Sequence, residues 1–582
     1  KQHGGDRVAE ALMEHGVRVL FTLCGGHISP ILTACRTRGV RVVDVRDEAT
    51  AVFAADATSR LTGIPGVAAV TAGPGITNTI TALKNAQLAQ SALILIGGAA
   101  PTALQGRGAL QDIDQRPLVA PHVKRFLKMR SVRDLAPAVH QAFALAASGV
   151  PGPVFIECPV DLLYDEATVR QWYADAAGRG TSVADRVLRF YLKRHVGHMF
   201  ASDTSAASPP LRPHPPPRAR EGTVARALDR LMGAKRPLMV IGSQTLARAG
   251  DAAAIAQAVR TLGCPVYLSG MARGLLGRED DLQMRHQRRQ ALREADCVLL
   301  AGVPCDFRLD YGKHVRRSAT LIAANRSARD ARLNRRPDIA AIGDAGLFLQ
   351  ALAQATPSGA QAQARARLAS WITELRARDI ERETEIDRQA IPTGEFVNPV
   401  ALLRAVEREA ADDAILVADG GDFVATAAYV LHPRAPLRWL DPGAFGTLGV
   451  GAGFALGAAL ALPGQEVWVI LGDGACGYGL VEFDSFVRHG VPLIALVGND
   501  AGWTQIAREQ IKMLHDDVGT VLARTAYHEV AQGFGAEGVL VRTLDELPQA
   551  LARARALASA GKAVLVNVWL DKTDFREGSL SM

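Results

Sequence analysis

The chain has 582 residues, about twice the length at which a single hydrophobic core stops growing, which predicts several domains, three as a first estimate. Hydrophobic residues make up 48% and charged residues 21%, as is typical of a globular protein with large cores. The net charge of +7 is a mild bias at this length. We therefore expect no nucleic-acid partner, whereas an anionic substrate stays open.

The seven cysteines contain no C-x-x-C pair, and most occur in apolar contexts. We interpret them as buried thiols in a reducing compartment rather than as disulfides or zinc ligands. The N-terminus shows no basic-then-apolar leader, so we expect a cytoplasmic protein. The uncharged stretch 444–463 is rich in glycine and leads into a strand, which favours a buried helix over a membrane span.

Amphipathic helices alternate with short apolar strands in three blocks, residues 1–170, 222–355 and 390–582. This alternation indicates βαβ units, so the predicted fold class is α/β with three doubly wound parallel-sheet domains. In the first block, strands are predicted at Val17–Leu23, Val40–Val45, Gly66–Thr71, Ala92–Gly97 and 152–161, and helices at Asp6–His15, Thr50–Leu61 and Thr77–Ala89. In the other two blocks, strands are predicted at Pro237–Gly242, Pro265–Leu268, Cys297–Gly302, Thr320–Ala324, Ala414–Ala418, Glu466–Leu471, Pro492–Val497 and Val564–Trp569.

Two connecting segments differ from these blocks. Residues 171–221 contain a basic segment, Val183–Phe200, which predicts a helix, followed by a linker rich in proline and serine, Ser202–Pro217. A helix docked on its own protein is favoured over one that lies on a membrane surface or covers an acyl-binding groove. Residues 356–389 are predicted to form a helical linker.

The chemistry-bearing motif is the run Gly472-Asp473-Gly474 after one predicted strand, with Asn499-Asp500 after the next. Backbone N–H groups at a strand end of this kind can receive a phosphate. Parallel neighbours bring both strand ends to the same edge of the sheet. Asp473 and Asp500 would then face one another as hard oxygen ligands of Mg²⁺ or Ca²⁺.

A Gly-Asp-Gly run followed at this distance by Asn-Asn is the signature of thiamine-diphosphate enzymes, and this chain resembles it with Asp500 in place of the second Asn. Over residues 4–165 and 222–575 the chain resembles the acetohydroxyacid (acetolactate) synthase superfamily. The resemblance implies thiamine diphosphate and Mg²⁺ as cofactors, with Ca²⁺ or Mn²⁺ as alternatives. The three blocks would be a pyrimidine-binding, a central and a diphosphate-binding domain.

Site residues follow from the same resemblance. The metal would be held by Asp473, Asp500 and the carbonyl of Gly502. Cofactor-binding residues would be Asn78, Gly421, Asp422, Gly446, Leu448, Gly472, Gly474 and Ala475. Glu48 would be the carboxyl that favours the imino tautomer of the cofactor, whose nitrogen then removes the C2 proton. In the family this glutamate reaches a cofactor held by a partner subunit, which implies at least a homodimer with a shared active site; dimer and tetramer both stay open.

His27 and Gln111 resemble substrate-binding residues of benzaldehyde lyase and would be catalytic, since a histidine can take the proton of a 2-hydroxyl group as a C–C bond breaks. Gly26 and Trp503 would line the substrate pocket. These features favour hydroxyacyl or acyloin chemistry over acetolactate synthesis.

The segments GGHISP (25–30), GMARGLLG (270–277) and DFRL (306–309) resemble the 2-hydroxyacyl-CoA lyase branch of the superfamily. The resemblance implies cleavage of a 2-hydroxyacyl-CoA or acyloin to an aldehyde and formyl-CoA, or the reverse ligation. Two alternatives stay open, an acetolactate synthase acting on pyruvate and another 2-oxo acid, and a catalytically silent regulatory or structural relative. The central domain could bind FAD, ADP or nothing, and the terminal segment Phe575–Met582 could close as a lid.

Overall fold

The computed structural model describes residues 3–178, 180, 182–201, 211, 213–357, 359–392 and 394–576. Most of the predicted proline- and serine-rich linker and the end of the predicted lid segment, residues 577–582, lie outside these ranges. The chain forms two compact units, residues 1–59 with 64–215 and residues 60–63 with 216–582.

The first unit is built on a parallel sheet. Within the described residues this sheet has six strands in the order β2-β1-β3-β4-β6-β5. In chain order β1 to β6 are Val19–Leu23, Arg41–Asp44, Gly66–Val70, Leu93–Ala99, Arg125–Lys128 and Pro153–Pro159. Strands β3, β4 and β6 are buried along their whole length, as parallel strands are when helices cover both faces of a sheet.

Helices α1 to α9 lie between residues 4 and 199. They are Gly4–Glu14, Ser29–Thr37, Glu48–Thr62, Pro74–Thr77, Ile80–Ala89, Gln115–Val119, Leu135–Ala147, Glu166–Ala177 and Val183–Met199. Helix α3 begins at Glu48, two residues before the predicted start at Thr50. Helix α9 is the predicted basic helix, and it packs its Leu192, Val196 and Met199 into the core of this unit.

The second unit carries two further parallel sheets. Within the described residues they have six strands each, in the orders β12-β11-β10-β7-β8-β9 and β14-β13-β15-β16-β18-β17. Strands β7 to β12 are Pro237–Ile241, Val266–Leu268, Gln283–Met284, Cys297–Ala301, Thr320–Asn325 and Ile339–Ile342. Strands β13 to β18 are Ile415–Asp419, Trp439–Leu440, Val467–Gly472, Leu493–Asn499, Glu537–Val541 and Ala563–Trp569.

Helices α10 to α22 complete the second unit. They are Glu221–Gly233, Ala252–Leu262, Arg288–Glu294, Ala345–Ala355, Ala360–Gln389, Pro399–Glu409, Asp422–Val430, Val450–Ala461, Asp473–Gly479, Phe483–Arg488, Thr504–Leu514, Tyr527–Gly533 and Leu547–Ser559. The glycine-rich stretch forms α17, which is buried over most of its length, as predicted. No helix among the described residues is long and apolar enough to cross a membrane.

The predicted fold class is confirmed, and each predicted strand is present. The strands β5, β9, β12, β14 and β17 at the sheet edges were not predicted. Strands β9 and β14 are only two residues long, and β5 carries exposed side chains that interrupt the apolar pattern. All seven cysteines are free. The prediction of buried thiols was wrong for Cys24, which is exposed because it follows the end of β1 in the turn toward α2.

Candidate active site

The Gly-Asp-Gly run lies at the junction of β15 and α18. Strands β15 and β16 are parallel neighbours with Gly472 opposite Gly498, so Asp473 and Asp500 follow adjacent strand ends. The carboxylate of Asp473 accepts hydrogen bonds from the backbone N–H groups of Gly474 at 2.8 Å and Gly502 at 3.1 Å. The structure thus brings together the three residues predicted as metal ligands.

Burial raises the pKa of both aspartates, although Thr504 and Lys572 partly oppose the rise at Asp500. Burial raises the pKa of Asp473 to about 6, and the neighbouring charge of Asp500 adds to the rise. Two buried carboxylates that repel each other are the arrangement a divalent cation relieves, so this edge of the sheet fits a hard cation.

The described residues contain no group of three or more His, Cys, Asp or Glu side chains that could hold a metal ion alone. A cation here would therefore take further oxygens from backbone carbonyls, such as that of Gly502, and from a bound phosphate. This division of ligands fits a metal that is shared with a diphosphate cofactor.

Trp503 and Tyr527 fix the conformation of the Gly-Asp-Gly run. A Cβ atom added to Gly474 would lie 2.4 Å from the Trp503 ring, so only glycine fits under this ring. The hydroxyl of Tyr527 donates a hydrogen bond to the carbonyl of Asp473 at 3.1 Å. Around Gly472, by contrast, no atom lies within 4 Å of an added Cβ, and the backbone is open to a ligand.

The turn before α17 contains two glycines in the left-handed region, Gly446 with φ 65° and Gly449 with φ 89°. The carboxylate of Asp419 accepts hydrogen bonds from the N–H groups of Gly449 at 3.0 Å and Gly451 at 2.8 Å. Asp419 is fully buried, and burial raises its pKa to about 7. This carboxylate holds the turn, on which Leu448 stays half-buried and open to a ligand.

The loop after β13 carries Gly421 and Asp422, which were both predicted to bind the cofactor. The two carboxylate oxygens of Asp422 accept hydrogen bonds from Arg508, each at 2.8 Å. Asp422 is therefore neutralised by a bidentate ion pair at the start of α16. Ala475, the last residue predicted in this group, is buried at the start of α18.

In the first unit, Glu48 and Asn78 are in direct contact. The Asn78 amide donates a hydrogen bond to Glu48 Oε2 at 3.0 Å. Glu48 is only 7% exposed, and an added Cβ on Gly75 would lie 3.5 Å from its Oε1. The structure thus places Glu48 beside the glycine-containing turn 72–78, and Asn78 positions this carboxyl.

His27 and Gln111 meet at Thr71. The Thr71 hydroxyl lies 3.1 Å from His27 Nδ1 and donates to the Gln111 side-chain oxygen at 3.4 Å. Burial lowers the pKa of His27, and a hydrogen bond with Gln111 partly opposes this shift. The lowered pKa favours the neutral imidazole at pH 7. Gly26, next to this trio, is exposed.

A basic cavity of about 490 Å³ opens in the second unit beside β8, β9 and the segment 307–310. This volume is in the range of small-molecule binding sites. Helix α16 contributes Tyr429 near its end. The cationic and titratable side chains in its lining are Arg273, Arg285, His286, Arg288, Arg289, Arg308, Asp310, His314, Arg382, His432 and Arg576.

The environment of the cavity disfavours the charged form of several of these arginines. Burial lowers the pKa of Arg285 to about 10, although nearby carboxylates such as Glu383 oppose the shift. Burial and the charge of Arg273 lower the pKa of Arg288. Buried cations that repel one another are stabilised by an anion, so this cavity fits a phosphate-bearing ligand.

The parallel sheets and the glycine-rich strand ends are those of an α/β enzyme whose strand ends fit a diphosphate cofactor. Three family profiles match the chain, each described as a domain of a thiamine pyrophosphate enzyme. They are the N-terminal TPP binding domain over residues 2–118, the central domain over 224–352 and the C-terminal TPP binding domain over 419–568. The chain belongs to the thiamine pyrophosphate enzyme family.

Relatives give the branch of this family. The chain is 50% identical to 2-hydroxyacyl-CoA lyase 2 of Mus musculus and of Homo sapiens, over all of this chain and 92% of each relative. It is 34% identical to the acetolactate synthase large subunit IlvG of Mycobacterium tuberculosis, over 98% of this chain and 96% of the relative. The chain is a thiamine-diphosphate-dependent enzyme that makes or breaks C–C bonds, which confirms the predicted superfamily and enzyme class.

Sequence reasoning missed four features of the site. The roles of Asp419, Arg508 and Tyr527 depend on contacts between residues far apart in the sequence, and no local pattern marks them. The basic cavity did leave a signal, the run RHQRRQALR over residues 285–293, which was not recognised. The Trp503 ring packs on Gly474, and its role as a wall of the substrate pocket stays a prediction.

Proposed function

We propose that this enzyme is a Mg²⁺-dependent lyase that cleaves a 2-hydroxyacyl-CoA to an aldehyde and formyl-CoA, or joins them in reverse. The observation that carries the proposal is the basic cavity. Coenzyme A bears three phosphate groups on its nucleotide end, and a polyanion of this kind complements the arginines that line the cavity. Pyruvate, the substrate of the alternative acetolactate synthase, has no group that requires them.

The position of the cavity also supports a coenzyme A ester as the substrate. Helix α16 begins at Asp422, in the predicted diphosphate loop, and reaches the cavity at Tyr429. At about 1.5 Å per residue, these residues are on the order of 10 Å apart along the helix. A flexible pantetheine arm suits such a separation between a nucleotide site and a reacting thioester.

The metal and cofactor residues would act as follows. Asp473, Asp500 and the carbonyl of Gly502 would hold Mg²⁺, and the open backbone at Gly472 would receive the diphosphate. When bound, thiamine diphosphate supplies an electron sink for the acyl carbon. Asn78 holds Glu48 Oε2, so Glu48 Oε1 is the oxygen that would share a proton with the aminopyrimidine ring.

His27 would move the substrate proton. Its Nδ1 is next to Thr71, which leaves Nε2 as the nitrogen that would take the proton of the 2-hydroxyl group. The lowered pKa keeps this imidazole neutral at pH 7 and therefore able to accept a proton. Gln111, which hydrogen-bonds in the same trio, would bind the substrate oxygen.

We also propose that the enzyme is at least a homodimer, with Glu48 of one subunit serving the diphosphate site of another. Strongly exposed apolar side chains support this. Leu110, beside Gln111, is 83% exposed, and Leu514 and Val518 in the second unit are 69% and 73% exposed. Such side chains gain free energy when a partner covers them. The free cysteines support a reducing compartment such as the cytoplasm.

The test is product analysis with purified enzyme, Mg²⁺ and thiamine diphosphate. We expect formyl-CoA and an aldehyde from a 2-hydroxyacyl-CoA, and little CO₂ from pyruvate. Efficient CO₂ release with acetolactate formation and no formyl-CoA would establish the synthase instead. Mass spectrometry of small molecules released from the protein would show whether FAD or ADP occupies the central domain.

A variant tests whether the cavity binds the CoA ester, separately from the binding of thiamine diphosphate. We expect Arg288→Ala to raise the KM of the CoA ester at least tenfold and to leave the affinity for thiamine diphosphate unchanged. Arg408→Ala, at an exposed arginine outside the cavity, is the matched control. An unchanged KM for Arg288→Ala would remove the cavity from the proposal, and tightly bound FAD there would assign it to a different ligand.

A further inference from the structure

Helix α9 has two apolar faces, and only one of them is buried. The buried face carries Leu192, Val196 and Met199, which pack into the core of the first unit. On the same side, His195 Nε2 lies 2.6 Å from the hydroxyl of Thr102. These contacts fix the rotation of the helix and therefore determine which side chains point away from the core.

The opposite face carries a second apolar stripe, formed by Val183, Val187, Phe190 and Tyr191. These residues occur at positions i, i+4, i+7 and i+8 of the helix, a spacing that places them on one side. Their exposed fractions are 67%, 62%, 67% and 53%. Large apolar side chains aligned in this way mark a surface that binds something other than water.

The charges around the stripe decide between binding partners. Arg186, Lys193 and Arg194 flank it and are all exposed. The acidic residue of the helix, Asp185, is bound in the capping box with Ser182 at the N-terminus. The stripe is therefore apolar and is bordered by basic side chains. It complements a surface that has negatively charged groups on the outside and an apolar interior beneath them.

We propose that α9 binds the surface of an anionic lipid bilayer, with Val183, Val187, Phe190 and Tyr191 inserted at the level of the headgroups. A phenylalanine and a tyrosine on the apolar side and basic residues beside them are typical of helices that lie in the membrane interface. Because the other face of α9 is already packed, the helix is folded before it meets the membrane. Binding therefore needs no folding step and would hold the whole enzyme at the bilayer surface.

The experiment is co-sedimentation of the full chain with vesicles of phosphatidylcholine alone and of phosphatidylcholine with phosphatidylserine. We expect binding to the anionic vesicles that weakens as salt is raised, and little binding to the neutral ones. The double variant Val187→Ser with Phe190→Ser should bind at least tenfold more weakly. The triple variant Arg186→Gln, Lys193→Gln and Arg194→Gln should lose about fivefold for each charge removed.

A matched control is the double variant Ile380→Ser with Ile391→Ser, because these side chains are 63% and 62% exposed but lie in the second unit. It should bind like the unmodified chain, and lyase activity without vesicles verifies that each variant is folded. Absence of binding to anionic vesicles, equal binding to neutral ones, or equal loss in the control would overturn the proposal. So would a change in oligomeric state of the Val187 and Phe190 variant without lipid, which would make the stripe a contact between copies of the chain.

Discussion

Replacing Asp473 with asparagine should stabilise the metal-free protein and at the same time abolish cofactor binding. In the folded chain, burial and the charge of Asp500 raise the pKa of Asp473 from 3.8 to about 6. A carboxyl whose pKa is higher in the folded state destabilises folding increasingly as the pH rises from about 4 through 6. The full effect of roughly two pKa units is about 3 kcal/mol, and it is present at pH 8.

Asparagine removes this charge but cannot reproduce all of the hydrogen bonds. The carboxylate accepts from both Gly474 and Gly502, whereas the amide has one oxygen, so the variant loses about 1 kcal/mol. We therefore expect metal-free Asp473→Asn to be about 2 kcal/mol more stable than the unmodified chain at pH 8. Near pH 5, where much of the charge is already neutralised, the gain should fall to about 0.5 kcal/mol.

The assay is urea unfolding in the presence of a chelator at pH 5 and pH 8, together with calorimetric titration of thiamine diphosphate in the presence of Mg²⁺. When urea unfolding is repeated with Mg²⁺ in place of the chelator, the free energy of unfolding of the unmodified chain should rise by about 2.7 kcal/mol at a cofactor concentration one hundred times its Kd. That of the variant should not change. Asp413→Asn, at an exposed aspartate, serves as the control. A metal-free variant that is less stable at pH 8, or one that still binds the cofactor normally, would refute the reasoning.

Three further substitutions probe other parts of the site. Gly474→Ala should displace the Trp503 ring, because the new Cβ would lie 2.4 Å from that ring. We expect the affinity for the cofactor to fall at least tenfold in a calorimetric titration. Unchanged affinity would show that the ring can move freely. At pH 4, where its raised pKa of about 7 leaves the buried Asp419 carboxyl uncharged, Asp419→Ala should reduce the free energy of unfolding by about 2–4 kcal/mol in urea, since the N–H groups of Gly449 and Gly451 lose their acceptor. Glu48→Gln should lower turnover by at least about 100-fold while thiamine diphosphate still binds, and equal turnover would exclude Glu48 as the activating carboxyl.

The sequence was sufficient for the parts of the molecule that follow from local patterns. Apolar runs of five to seven residues between amphipathic helices predicted the central strands, and two motifs at neighbouring strand ends predicted that Asp473 and Asp500 would meet. Helix α3 was also predicted from its apolar pattern, although from Thr50 rather than from Glu48, where it begins.

Other features could not be predicted, for physical reasons. The buried carboxylate of Asp419 is paired with backbone N–H groups some thirty residues away, and backbone groups leave no trace in the sequence. The contact of Arg508 with Asp422 joins residues of α16 and α20, which are 86 residues apart in the sequence and meet only in the folded chain. The outer strands are specified by pairing with their neighbours rather than by their own composition, as the charged ends of Arg125–Lys128 illustrate.

The second aspartate at the proposed metal site would affect how the holoenzyme assembles. A diphosphate that approached Asp473 and Asp500 alone would meet two negative charges in a poorly hydrated corner. The arrangement therefore favours entry of the cation first, or of both as one complex, and disfavours entry of the coenzyme alone. At limiting magnesium, reconstitution of the enzyme would then begin with a lag that extra coenzyme does not shorten.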